Sequence, residues 1–173
     1  MKKKSISLYY ITLMVFCQLI SVFVPVLVTS AISEEQKSAV SGHCEIIRDN
    51  LKEVQRADSR MRVYLGRYYE TILTRFIMPL NLRLVENNLP GSGLIGNQNE
   101  FNTAQTDFKN DYIEYQKGLE ELVAFDCKAE PEKFYEKLEV VRDKREVVAK
   151  DTTRLQKLAS EQVKLVRDLE AEL

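Results

Sequence analysis

Residues 99–126 read NEFNTAQTDFKNDYIEYQKGLEELVAFD, and Phe101, Ala104, Phe108, Tyr112, Tyr115, Leu119 and Leu122 step through them by threes and fours without a miss. Such spacing lines one face of a helix, so the stretch predicts a coiled-coil seam whose first half is aromatic. Aromatic side chains at this period are core material, and they predict a facing helix that supplies matching rings.

Working toward the C-terminus, Asp126-Cys127-Lys128-Ala129-Glu130-Pro131 reads as a tight link. Proline at the first position of a new helix costs nothing, because the N–H it lacks would have no partner there. The helix that follows, over 131–173, carries Phe134, Leu138, Val141, Val148, Leu155, Ala159, Val166, Leu169 and Leu173 near heptad spacing. At 1.5 Å per residue it runs to roughly 64 Å. Arg145, Thr152 and Gln162 fall on the same stripe and break the seam. The distal part of this helix is therefore expected to meet a partner, through Val163, Val166, Leu169 and Leu173. A broken seam can be completed within one chain or between copies, which keeps a homo-oligomer open.

Toward the N-terminus, Ile47, Leu51, Val54, Met61, Leu65, Tyr68 and Ile72 draw a second stripe, expected as a helix over about 43–78. Tyr64, Tyr68 and Tyr69 are expected to face the aromatic seam. Ser33-Glu34-Glu35-Gln36 fits a capping box, with Ser41 and Gly42 interrupting a helix begun there. Pro79 is expected to end or kink the helix. From 79 to 98 the periodicity fails among Asn87, Asn88, Pro90 and three glycines, and this stretch is read as a tip loop whose apolar Leu94 and Ile95 fold back on the bundle or meet a partner. Gly91-Ser92-Gly93-Leu94-Ile95-Gly96 spells G-x-G-x-x-G, but that fingerprint works only inside a parallel βαβ unit, and no strands are available to build one. No Gly-Lys-Ser/Thr follows it, which excludes a phosphate-binding loop of the Walker type.

Cys44 and Cys127 are the two cysteines outside the N-terminal apolar run and can pair only with each other within the chain. Such a disulfide closes a loop of roughly 84 residues and constrains the unfolded chain by on the order of 4 kcal/mol. Helices of about 50 Å from Cys44 and about 40 Å to Asp126 match well enough to pair antiparallel, which brings the two cysteines to one end. The single histidine, His43, and the absence of C-x-x-C or H-x-x-x-H spacing leave no zinc site and no cysteine–histidine nucleophile.

The chain opens with Lys2, Lys3 and Lys4 and then an uncharged apolar run from Ile6 to Val28. Its length suits a bilayer span, which needs about 20 apolar residues. The small residues Ser30 and Ala31 are compatible with signal cleavage after either one. In both readings the leading lysines stay inside and the rest is exported. Cys17, within the run, lacks the small preceding residue of a lipoprotein signal and reads as apolar filler.

Of the 173 residues, 45% are hydrophobic, with 6 Gly, 4 Pro and no Trp, a composition short of the turns an all-β or α/β fold requires. Formal net charge is −1; setting the three leading lysines aside leaves 22 of the 25 basic residues against 26 acidic ones. A mildly acidic surface does not attract phosphate backbones, so nucleic acid is not an expected partner. With neither G-x-S-x-G nor H-E-x-x-H present, no residues stand out for hydrolytic, metal or cofactor chemistry.

The sequence thus predicts an all-α protein. A membrane-spanning or signal helix over 1–32 is followed by an elongated antiparallel three-helix coiled-coil-like bundle over 33–173. The expected function is an exported, membrane-anchored, non-enzymatic scaffold or adaptor of the cell envelope that works through protein contacts. A ligand-sensing or regulatory ectodomain, or a secreted helical effector released by cleavage near Ser30, are the alternatives.

Overall fold

The computed structural model describes residues 32–172, and these are helical, without a strand among them. The expected segment over 1–32 lies almost wholly outside the described residues, and no described helix is long and apolar enough to cross a membrane. Ser33 caps α1 (Glu34–Gly42): its hydroxyl accepts from the Gln36 N–H at 3.2 Å, and Gln36 Oε1 accepts from the Ser33 N–H at 2.9 Å. His43 closes α1, its Nδ1 lying 3.0 Å from the Ala39 carbonyl oxygen, and α2 (Cys44–Ile72) begins at once.

Pro79 does not end this helix. A π-helical turn over Leu73–Ile77 precedes it, with the Met78 N–H donating to the Leu73 carbonyl, and α3 (Met78–Glu86) continues directly. The wider turn shifts the hydrogen-bond register and places Pro79 in the first turn of α3, where no donor is required. A short link then reverses the chain. Leu89 N–H donates to Leu84 O and Asn88 N–H to Val85 O, with Asn88 at φ 55°, the Schellman arrangement at a helix C-terminus. A Cβ on Gly91 would come 3.0 Å from Leu84 Cδ1, so a larger residue here would push the Leu84 side chain aside.

The expected tip loop over 79–98 is accordingly much shorter. Its first part is α3, and α4 (Ser92–Ala124) already begins at Ser92. The glycine-rich stretch is held helical by tertiary contacts: Leu94 is 3% exposed, Asn81 Nδ2 donates to Leu94 O at 3.0 Å, and Asn97 Nδ2 donates to Leu158 O at 3.3 Å. The link after α4 is organised by Asp126, whose Oδ1 accepts from the N–H groups of Lys128 and Ala129, and α5 spans Pro131–Glu172.

The helices form a bundle around α4. Lys144 reaches Glu114, Arg154 reaches Asp107 and Asn97 reaches Leu158, so α5 runs antiparallel to α4. The π turn and α3 sit beside the start of α4, and Cys44 beside its end. Two apolar clusters fill the bundle. One gathers Cys44, Tyr112, Tyr115, Leu119, Leu122, Cys127, Phe134 and Val141; the other gathers Tyr69, Leu73, Ile77, Phe101, Ala104, Phe108, Leu155 and Leu158. Cys44 and Cys127 are joined by a disulfide with a Cα–Cα distance of 5.5 Å. Tyr69 alone of the three expected tyrosines enters the aromatic seam, edge-on to Phe101 and Phe108. Tyr64 and Tyr68, four residues apart on the other face, lie parallel on the surface with ring centroids 6.4 Å apart.

Candidate interaction groove

α4 lies close against both α2 and α5, whereas α2 and α5 stay apart over most of their length. The seam between them is drawn together at two places. Asp58 of α2 accepts from Arg145 of α5 through both oxygens, at 2.9 and 3.1 Å, and from the Tyr115 hydroxyl at 2.7 Å. This bidentate pair fixes orientation as well as charge. Burial, reinforced by the hydrogen bond to Asp58, pushes the Tyr115 phenol well above the ordinary tyrosine range, so it stays a neutral donor. Farther along, the Tyr69 hydroxyl donates to Thr152 O at 3.3 Å.

On either side of these ties the seam is open. Around the Asp58–Arg145 pair lies a groove of about 760 Å³, floored by Phe108, Tyr112 and Tyr115. The Arg62 guanidinium sits over the Tyr112 ring there at 5.2 Å. Beyond Tyr69 a larger groove of about 1070 Å³ runs between α5 and the α2–π–α3 rod. Its walls are apolar, from Ile72, Phe76 and Leu80 on one side to Ala159, Val163 and Val166 on the other. Phe76 is 66% exposed and Val163 51%, and since both line this one groove their exposure is gathered rather than scattered. Arg75, Arg83 and Arg167 stand on its rim with Glu170. Among the described residues, no carboxylate lies within ion-pairing distance of these three guanidinium groups.

In the same groove Gln162 is 7% exposed, and neither its Nε2 nor its Oε1 has a hydrogen-bond partner. A buried amide left in this state costs roughly 1–3 kcal/mol.

The residues singled out from sequence fall in different places. Val163 and Val166 line the groove, and Leu169 is half-buried on the same helix. Leu94 is turned into the bundle through the helical start of α4 and has no surface to offer, while Ile95 beside it is exposed. Leu173 lies outside the described residues. The sequence reading missed Arg75, Phe76 and Arg83. The available signal was compositional: from Arg60 to Val85 the chain holds five arginines and no lysine, with Glu70 the one acidic residue. Among the described residues there is no cluster of three or more histidine, cysteine, aspartate or glutamate side chains arranged to hold a metal. Comparison with protein-family models, with curated proteins and with solved structures gives no match to this chain.

Proposed function

We propose that the protein is an exported, membrane-anchored helical scaffold or adaptor, in which residues 33–173 act as an elongated antiparallel three-helix coiled-coil-like rod that binds other proteins outside the cytoplasm. The observation that carries this reading is the open α2–α5 seam. A helical protein that leaves an apolar, arginine-rimmed groove beside a buried, unpaired amide is built to be completed by something else. Export is supported by the apolar run Ile6–Val28 behind three lysines and by the Cys44–Cys127 disulfide, a bond that persists in oxidising compartments. A non-enzymatic role is the reading we give a groove lined mainly by apolar side chains and arginines, where the Ser160 hydroxyl donates to the Gln156 carbonyl of its own helix.

Intact mass of the protein expressed from its full-length gene tests the anchored, exported reading, measured on membrane and released fractions with and without reduction. Retention of residues 1–32, with two of the three cysteines protected until reduction, is the expected result. A released form beginning near Ala31 or Ile32 would replace the anchored scaffold with a secreted effector. Free Cys44 and Cys127 thiols would remove the disulfide as an argument for export.

A further inference from the structure

We propose that the groove between α5 and the α2–π–α3 rod is the docking site for an amphipathic helix of a partner protein, whose acidic edge meets Arg75, Arg83 and Arg167. The inference rests on the scaffold reading and gives it a site and a partner chemistry.

The shape selects a helix. From Tyr68 to Arg83 the rod is about 22 Å long, the length of roughly four helical turns. The groove is open along its length, whereas a small-molecule site encloses most of its ligand. A helix laid here buries Phe76 and Val163 and turns the three-helix arrangement locally into a four-helix one.

Charge selects the kind of helix. Arg75 and Arg83 stand eight residues apart on one wall, about 12 Å at helical rise, and Arg167 stands on the other. Guanidinium groups without intramolecular carboxylates favour a partner with acidic residues on both flanks of its apolar stripe, since the bidentate fork matches a carboxylate. The most acidic helix of a second copy does not supply one. That helix is α4, and its apolar stripe is buried in its own bundle.

Gln162 selects the register. Its amide donor and acceptor are both unused and both lie covered at the groove wall, so one polar side chain midway along the partner's apolar stripe pairs with them once docking displaces that cover. That is how a lone polar residue sets alignment in coiled coils. Arg75 and Phe76 both come from the π turn, a distortion frequently found at functional sites.

The test uses the full-length chain in neutral phosphatidylcholine nanodiscs and a fluorescent, end-blocked 18-residue probe. The probe carries leucine at heptad positions a and d, one central asparagine at a, and glutamate at e and g; a control carries lysine at e and g. Anisotropy should show saturable binding of the glutamate probe and at least tenfold weaker binding of the lysine probe. Arg75→Glu/Arg83→Glu should reverse that preference, and Val163→Asp, at an exposed position, should weaken binding at least tenfold at unchanged melting temperature. Equal binding of both probes, no saturable binding, or indifference to Val163→Asp overturns the proposal. So does self-association in sedimentation equilibrium that Val163→Asp abolishes, which would give the groove to a second copy. Binding to phosphatidylglycerol vesicles that displaces the probe and is lost in Arg75→Glu/Arg83→Glu overturns it in favour of a lipid surface. A photo-crosslinking residue at Val163 or at Ile113 on the outer face of α4, in cells, separates the two levels of inference. Protein adducts from Ile113 and none from Val163 reject the groove and leave the scaffold standing; adducts from neither reject both.

Discussion

The two apolar clusters of this bundle are built from similar side chains and finished differently. At the disulfide end Phe134, Leu122 and Cys127 are fully enclosed, α1 adds Val40 to the packing, and the covalent bond ties the start of α2 to the link before α5. At the other end Tyr69, Phe101, Phe108 and Leu155 are as well buried, yet Phe76, Leu82, Val85 and Val163 remain in water a turn or two away. Hydrophobic burial of comparable density therefore serves two purposes. Exposed apolar side chains occur beside both, Ile46 and Val140 next to the first cluster among them, but at the second end Phe76 and Val163 line one large groove, and there the apolar surface is gathered for association.

Substitutions should separate the ends. The largest loss is expected for Phe134→Ala, which opens a cavity in the closed end and should cost about 3–5 kcal/mol in denaturant unfolding. A loss below 1 kcal/mol would mean that this cluster is not the stable one. Cys44→Ser or Cys127→Ser should lower stability by about 2–4 kcal/mol under oxidising conditions and nothing further under reducing ones. Unchanged melting in both variants would remove the covalent tie as the source of the asymmetry.

A smaller, pH-dependent effect belongs to the middle of the molecule. Burial, with the nearby Asp111 and Asp107 carboxylates adding to it, raises the Asp151 carboxyl from 3.8 to about 6. The folded protein thus holds this proton more tightly than the unfolded chain does, so the contribution is full at low pH and is lost as pH rises toward 6. Melting temperature should be higher at pH 5 than at pH 7, and Asp151→Asn should flatten that dependence. A wild-type melting curve that falls on acidification through this window would contradict the assignment.

The smallest effect has the opposite sign. Gln162→Leu removes an unpaired buried amide from the open end and should raise stability by about 1 kcal/mol. It should at the same time weaken probe binding, the trade expected of a residue kept for recognition. Destabilisation by this substitution would show that the amide serves the fold.

The seam from Phe101 to Leu122 was legible because its period is unbroken, and every one of its seven residues is buried. The pairing of Cys44 with Cys127 and the interruption after Gly42 were legible for similarly local reasons. Helix over 79–98 was not. A proline and three glycines read as helix-breaking, whereas a π turn relocates Pro79 to a position that tolerates it, and contacts from Asn81 and Leu158 override the glycines. The groove was half legible. Gln162 stood out as a break in the α5 stripe, but the opposite wall depends on how the π turn presents Arg75 and Phe76, which heptad counting does not register.

The disulfide has a topological consequence beyond its contribution to stability. Cys44 and Cys127 are 83 residues apart, and well inside that span the chain leaves helical structure at an exposed turn, around Asn87–Pro90. A protease nick at that turn falls inside the covalent ring, so the two fragments remain one molecule until the bond is reduced. The protein can therefore be cut at this turn and still migrate as a single species.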